Sequence, residues 1–213
     1  MKKTLILILS IFIIQLTQAQ VTDNTAKGIL DKVAAKNKAY SSLKIDFTYS
    51  LQNPKTKTNE SKKGILFMKG KKVRLEMAGQ IIINDGKTVW TYIADAEEVT
   101  INNFEENSES ISPTSLLSNY NKNFKPKFIK EIKKGVKTIQ IIDLTPIKSN
   151  SYYKVRLEID KNSMQIESST VFDKNGSTFT YTINKMTANT LVDEIKFTFR
   201  KSDFPKAEIN DLR

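Results

Sequence analysis

Gln80-Ile81-Ile82-Ile83-Asn84-Asp85-Gly86-Lys87-Thr88-Val89-Trp90-Thr91-Tyr92 is the stretch whose reading decides the fold of this chain. Its two flanks are rich in β-branched and aromatic residues, which fit a pleated, half-buried surface. Between them, Asn84-Asp85-Gly86-Lys87 supplies residues that tolerate positive φ, so the chain reverses as a hairpin. A hairpin alone is marginal in water and needs further strands beside it.

Those strands are legible on both sides. Upstream, Val73, Leu75 and Met77 alternate with Arg74, Glu76 and Ala78, while Ile45, Phe47, Tyr49 and Leu51 alternate with Asp46, Thr48 and Ser50. This period of two marks strands with one buried face. Asn53-Pro54-Lys55-Thr56 turns the chain, and Lys63 to Lys69 returns it. Downstream, Glu98–Asn103, Pro126–Ile132, Val136–Asp143, Tyr152–Asp160, Met164–Phe172, Ser177–Met186 and Ile195–Phe199 read as strands, punctuated by turns at Asp160-Lys161-Asn162 and Asp173-Lys174-Asn175-Gly176. About eleven short strands at regular spacing predict a mainly antiparallel sheet that curls into a sandwich or a barrel.

Two segments break the pattern. Ala26, Ile29, Leu30, Val33, Asn37 and Tyr40 share one stripe of an amphipathic helix spanning Thr25 to Tyr40, which must dock on the sheet. Ser112 and Pro113 suit the cap and first position of a short helix whose apolar face is Leu116, Leu117 and Tyr120; it is either a covering helix or a lid.

Residues 1–19 read as a signal peptide, and residues 20–213 as a single domain. Lys2 and Lys3 precede the apolar run Leu5–Ile14, and Thr17-Gln18-Ala19 offers small residues at a cleavage site. That run is too short to span a bilayer, which needs roughly 20 apolar residues. Its two lysines, with no acid, account for two of the chain's +11 formal charges, leaving +9 for the domain. Only Arg74, Arg156, Arg200 and Arg213 among the 34 basic residues are arginines, which argues against nucleic-acid readout and for a lysine-rich solvated surface.

Cysteine and histidine are absent. Disulfides, Ser-His-Asp triads, Cys-His pairs and His-ligated metals are therefore excluded. No paired-carboxylate motif or phosphate-cradling glycine loop stands out, so the chain reads as a non-enzyme without cofactor or metal. Strand alternation makes Phe47, Tyr49, Leu66, Met68, Val73, Leu75, Met77, Ile82, Trp90 and Phe179 the candidate inward residues. Methionines and aromatics suit a pocket that repacks around flexible chains, but a filled interior has the same periodicity.

Four stretches resemble the outer-membrane lipoprotein carrier family, the LolA-type proteins. They are Leu30-Asp31-Lys32-Val33 with Phe47-Thr48, Gly64-Ile65-Leu66-Phe67-Met68-Lys69 with Leu75-Glu76-Met77, Asn84 through Tyr92, and Phe197-Thr198-Phe199 through Asp211-Leu212-Arg213. The resemblance implies an incomplete antiparallel β-barrel of eleven strands, closed by an N-terminal helix and a short lid helix. It implies a monomeric periplasmic carrier that takes acylated lipoproteins from an inner-membrane lipoprotein-releasing transporter and hands them to an outer-membrane acceptor. On that basis Leu30, Val33, Leu66, Met68, Val73, Leu75, Met77 and Ile82 would line the lipid-binding cavity, with Leu116 and Leu117 facing it from the lid. The chain departs from the family at Gly70, followed by Lys71 and Lys72, where members carry an Arg that bonds the lid loop. A lipid or lipoprotein sensor with the same shell, an exported lipid hydrolase and a filled β module are the competing readings. The leader carries its own test: N-terminal sequencing of the exported protein should begin at Gln20, and an intact Met1 would refute cleavage.

Overall fold

The computed structural model describes residues 23–105, 120–148 and 150–213. Helix α1 (Asn24–Lys38) buries Ala26, Ile29, Leu30 and Val33, the stripe expected from its period. Asp23 caps it by accepting from the Ala26 N–H at 3.0 Å. Its other carboxylate oxygen accepts from the Phe128 N–H at 2.7 Å, so one side chain starts the helix and ties it to the sheet.

The strands are β1 (Ser42–Asn53), β2 (Thr58–Lys69), β3 (Lys72–Met77), β4 (Gln80–Asn84), β5 (Thr88–Ile93) and β6 (Glu98–Asn103), then β7 (Phe124–Lys134), β8 (Lys137–Pro146), β9 (Tyr152–Asp160), β10 (Gln165–Asp173), β11 (Thr178–Ala188) and β12 (Glu208–Asp211). A short helix α2 (Tyr120–Asn123) precedes β7. All twelve lie in one sheet, ordered β12-β6-β5-β4-β3-β2-β1-β11-β10-β9-β8-β7, with β7 and β12 at the two ends. This is the expected unclosed barrel. Strand β12, which the sequence reading does not include, runs parallel to β6; all other pairs are antiparallel. The predicted strand at Ile195–Phe199 is instead a 3-10 turn at Glu194–Phe197, started by the Asp193 carboxylate accepting from the Ile195 N–H. The predicted lid helix at 112–117 lies outside the described residues.

Register assigns every side chain to a face. On the inner face, α1 packs against Ile142, Leu144, Val155, Leu157 and Ile159, which like Leu30 and Val33 are 0% exposed. Tyr120 joins this cluster, and its hydroxyl donates to Asp31 of α1 at 2.5 Å. Burial, and then that bond, raise the Tyr120 pKa. On the outer face, residues 189–207 cross β3 to β6 and seat Phe204 and Ala207 against Ile83, Val99 and Ile101. Glu194 fastens this crossing by accepting from Lys69 at 2.7 Å and Lys72 at 2.6 Å. The two ammonium groups pull its pKa from 4.5 down to about 2. Its contribution is therefore complete above 4.5 and lost as the pH falls through about 2.

Asp23→Ala deletes both bonds at the start of α1. It should lower the unfolding free energy by about 1–2 kcal/mol in urea denaturation. The Ala26 and Phe128 N–H groups hold the Asp23 carboxyl below its ordinary 3.8. Wild type should therefore keep its advantage above pH 3.8 and lose it as the pH falls through the lowered value.

Candidate functional site

The inner face continues from the α1 half onto β1 to β5. Strand β1 sits between β11 and β2, and its odd-numbered residues set the rows. Leu43 faces Ala188 on one side and Met68 on the other, and Met68 faces Val73. In the next row, Met186, Ile45, Leu66, Leu75 and Ile82 lie side by side. In the third, Ile183 faces Phe47, Phe47 faces Gly64, and Gly64 faces Met77. Across β1 to β3 the floor is apolar for three rows, bounded on β4 by Asn84 beside Val73 and Gln80 beside Met77, and then turns polar, where Tyr49 faces Lys62 and Leu51 faces Glu60.

Burial divides the inner face in two. The side chains under α1 are sealed, whereas Met68, Val73, Leu75, Met77 and Ile82 are all half-buried. Phe47 lies over Gly64, because a Cβ there would stand 2.8 Å from Phe47 Cε1 and 2.9 Å from the Glu76 carbonyl oxygen. Phe47, Tyr49 and Tyr181 form an aromatic group with centroids 6.0 and 5.3 Å from Tyr181. Burial raises the pKa of both tyrosines, with the charge of Glu60 adding for Tyr49 and the neighbouring Tyr49 adding for Tyr181. Both phenols are therefore neutral at neutral pH.

Of the residues expected from sequence, Phe47, Tyr49, Leu66, Met68, Val73, Leu75, Met77 and Ile82 share this floor, and Phe179 joins it opposite Leu51. Leu30 and Val33 do not line open space, since they fill the closed core between α1 and the sheet. Trp90 is on the opposite face. It pairs with Ile83, which faces Arg74 rather than Leu75, and it stacks on Phe199 at 5.7 Å. Leu116 and Leu117 lie outside the described residues. Tyr181, Ile183 and Met186 escape the sequence reading, although Phe179, Tyr181 and Ile183 alternate with threonines in the same way as β1. A hollow of about 510 Å³ near Gly64 is lined mainly from the outer face, by Asp46, Ile65, Glu76, Ile81 and Asn184.

Residues 38–200 match the family model described as outer membrane lipoprotein carrier protein LolA. The chain belongs to the LolA family. No curated protein matches it. Among solved structures, an uncharacterized conserved protein from Thermus thermophilus superposes with a TM-score of 0.60 at 12% identity, covering 88% of this chain and 99% of that one; at this identity the likeness concerns the fold. A putative outer membrane lipoprotein-sorting protein domain from Vibrio parahaemolyticus gives 0.48 at 10% identity, covering 85% and 98%. A LolA superfamily protein from Nitrosomonas europaea gives 0.44 at 15% identity, covering 82% and 97%. The LolA family is one of carriers, and its fold is a binding fold. At the position where the sequence departs from the LolA pattern, Gly70 turns β2 into β3 with φ +59°, a conformation suited to glycine. The flanking Lys69 and Lys72 are both engaged by Glu194 on the outer face.

Gly64→Ala would drive a methyl group into the Phe47 ring and the Glu76 carbonyl. Overpacking of this kind costs about 1–3 kcal/mol. Thermal denaturation should show a lowered midpoint, whereas Gly28→Ala, in the exposed interior of α1 where a Cβ meets nothing within 4 Å, should raise it.

Proposed function

We propose that this LolA-family chain is an exported carrier that shields the acyl chains of lipid-modified proteins on the inner floor of β1 to β5. Exported through its leader at residues 1–19, it works in the periplasm as a monomer. It takes cargo from an inner-membrane lipoprotein-releasing transporter and yields it to an outer-membrane acceptor. It does so without catalysis.

The observation that supports this reading is the floor itself. Met68, Val73, Leu75, Met77 and Ile82 form a contiguous apolar field on a rigid sheet, yet each remains half-buried. Each methylene removed from water gains about 0.8 kcal/mol, so even part of one acyl chain lying there is held firmly. Incomplete coverage keeps the gain below full burial, which lets an acceptor with a deeper site draw the cargo off. Flexible methionines at positions 68, 77 and 186 can follow chains of different shape.

Native mass spectrometry of the exported protein with an acylated lipoprotein should give a one-to-one complex, and the unacylated form should give none. Equal binding of both forms, or of neither, would refute the reading. Leu75→Asp places an unpaired carboxylate in the middle of the floor. It should weaken capture at least about tenfold while the far-ultraviolet spectrum stays native, because an acyl chain cannot satisfy a charge.

A further inference from the structure

The two ends of the sheet differ in charge. At the end where β1 begins, the β2–β3, β4–β5, β7–β8 and β9–β10 turns, counted with the strand residues that bound them, carry seven lysines and two aspartates. At the other end, the β1–β2, β3–β4, β5–β6, β8–β9 and β10–β11 turns carry four lysines and four acids. Glu131, Glu158, Glu167 and Glu194 pair with part of the basic set. The last turn of α1 adds Lys36 and Lys38 beside the β9–β10 turn, where Lys36 donates to the Ser163 carbonyl. The strand exits at this end add Glu105 after β6, Asp193 and Glu194 after β11, and Asp211 and Arg213 at β12. Turns, exits and helix end together carry ten basic and six acidic side chains.

The same end carries apolar side chains where turn chemistry calls for polar ones. Val136 sits at the tip of the Lys134-Gly135-Val136-Lys137 hairpin and is 97% exposed. Leu191, just after β11, is 104% exposed. Both are fully solvated on an end rich in lysine, the combination of apolar wedge and cationic collar that suits an anionic lipid interface. The inner floor is also apolar toward this end, where Leu43, Met68 and Val73 make its last row. Toward the other end it closes in Lys62 and Glu60.

We propose that the end bearing Val136 and Leu191 docks on an anionic phospholipid bilayer, with its lysines at the headgroups and the two apolar tips below them. Docking at this end would point the apolar rows of the floor at the membrane and let acyl chains pass with little exposure to water. That consequence rests on the carrier reading, whereas the docking itself does not.

The test is co-sedimentation of cargo-free exported protein with phosphatidylcholine–phosphatidylglycerol vesicles and with pure phosphatidylcholine vesicles. Wild type should bind the anionic vesicles more tightly, and raised salt should weaken the binding. The double variant Val136→Asp, Leu191→Asp should lose at least about tenfold in affinity, with an unchanged melting temperature because neither tip touches the core. Ile147→Asp, at the other end and 50% exposed, should bind as wild type. Failure of wild type to bind at low salt, equal binding to neutral vesicles, an unaffected double variant or an equal loss in Ile147→Asp would each overturn the proposal. Leu75→Asp separates the two ideas, since it should weaken cargo capture at least about tenfold and leave vesicle binding intact. If wild type binds vesicles but never captures cargo, the carrier reading falls and the docking stands.

Discussion

The structure depends on a mismatch of lengths between one helix and one sheet. Twelve strands laid side by side span eleven gaps of about 4.8 Å, or about 53 Å. The fifteen residues of α1 make a rod of about 22 Å. Such a rod covers β7 to β10, where Val155, Leu157 and Ile159 are fully buried, with Phe179 and Ile183 of β11 packed at the edge of the same cluster. The apolar rows do not stop where the helix stops. They run on through β1 into β2, β3 and β4, and this excess of apolar sheet over helical cover is what makes a binding floor out of a core. Strand β1 belongs to both parts, with Leu43, Ile45 and Phe47 buried by neighbours on either side.

The sheet is legible in the sequence because period-two alternation and turn residues are local signals. So is the α1 stripe, whose four buried residues follow a helical period. The errors have a common physical origin. In Ile81-Ile82-Ile83 both faces of β4 are apolar, so alternation does not say which face continues through the turn to Trp90. Both faces are apolar because both are covered, the outer one by Phe204 and its neighbours, and no local pattern announces a cover that arrives more than a hundred residues later. The same holds for Phe197 and Phe199, whose spacing imitates a strand although they serve as plugs on the outer face. The family resemblance implies a cavity role for Leu30 and Val33, and their stripe offers no correction, because a stripe that docks on a sheet looks the same whether the space beneath it is full or empty.

Charge is segregated with equal consistency. The outer face of β8 to β10 holds ion pairs such as Arg156 with Asp143, whose two bonds are 2.7 and 2.9 Å. The outer face of β2 and β3 holds the Lys69–Glu194–Lys72 fastening. On β1 to β4 the inner rows hold neither sign until Lys62 and Glu60, and at β6 the third row ends in Glu98. Lysines along β7, at positions 125, 127, 130, 133 and 134, discourage another strand from pairing with that edge.

The other edge is protected differently, and this bears on how the molecule folds. Strand β6 is covered by β12, whose Glu208 N–H donates to the Glu97 carbonyl at 2.8 Å and whose partner residues stand 110 positions earlier in the chain. Every other neighbouring pair along β1 to β6 is a hairpin that can zip as soon as its turn forms. The β6 edge must wait until residues 208–211 have been made and brought round the outer face, a loop closure of high sequence separation and hence a late event. Until then a row of unpaired backbone groups is open to strands of other molecules. The last contact to form is thus the one that determines whether the nascent sheet stays solitary, and synthesis in isolation from its own copies matters more for this protein than its modest size implies.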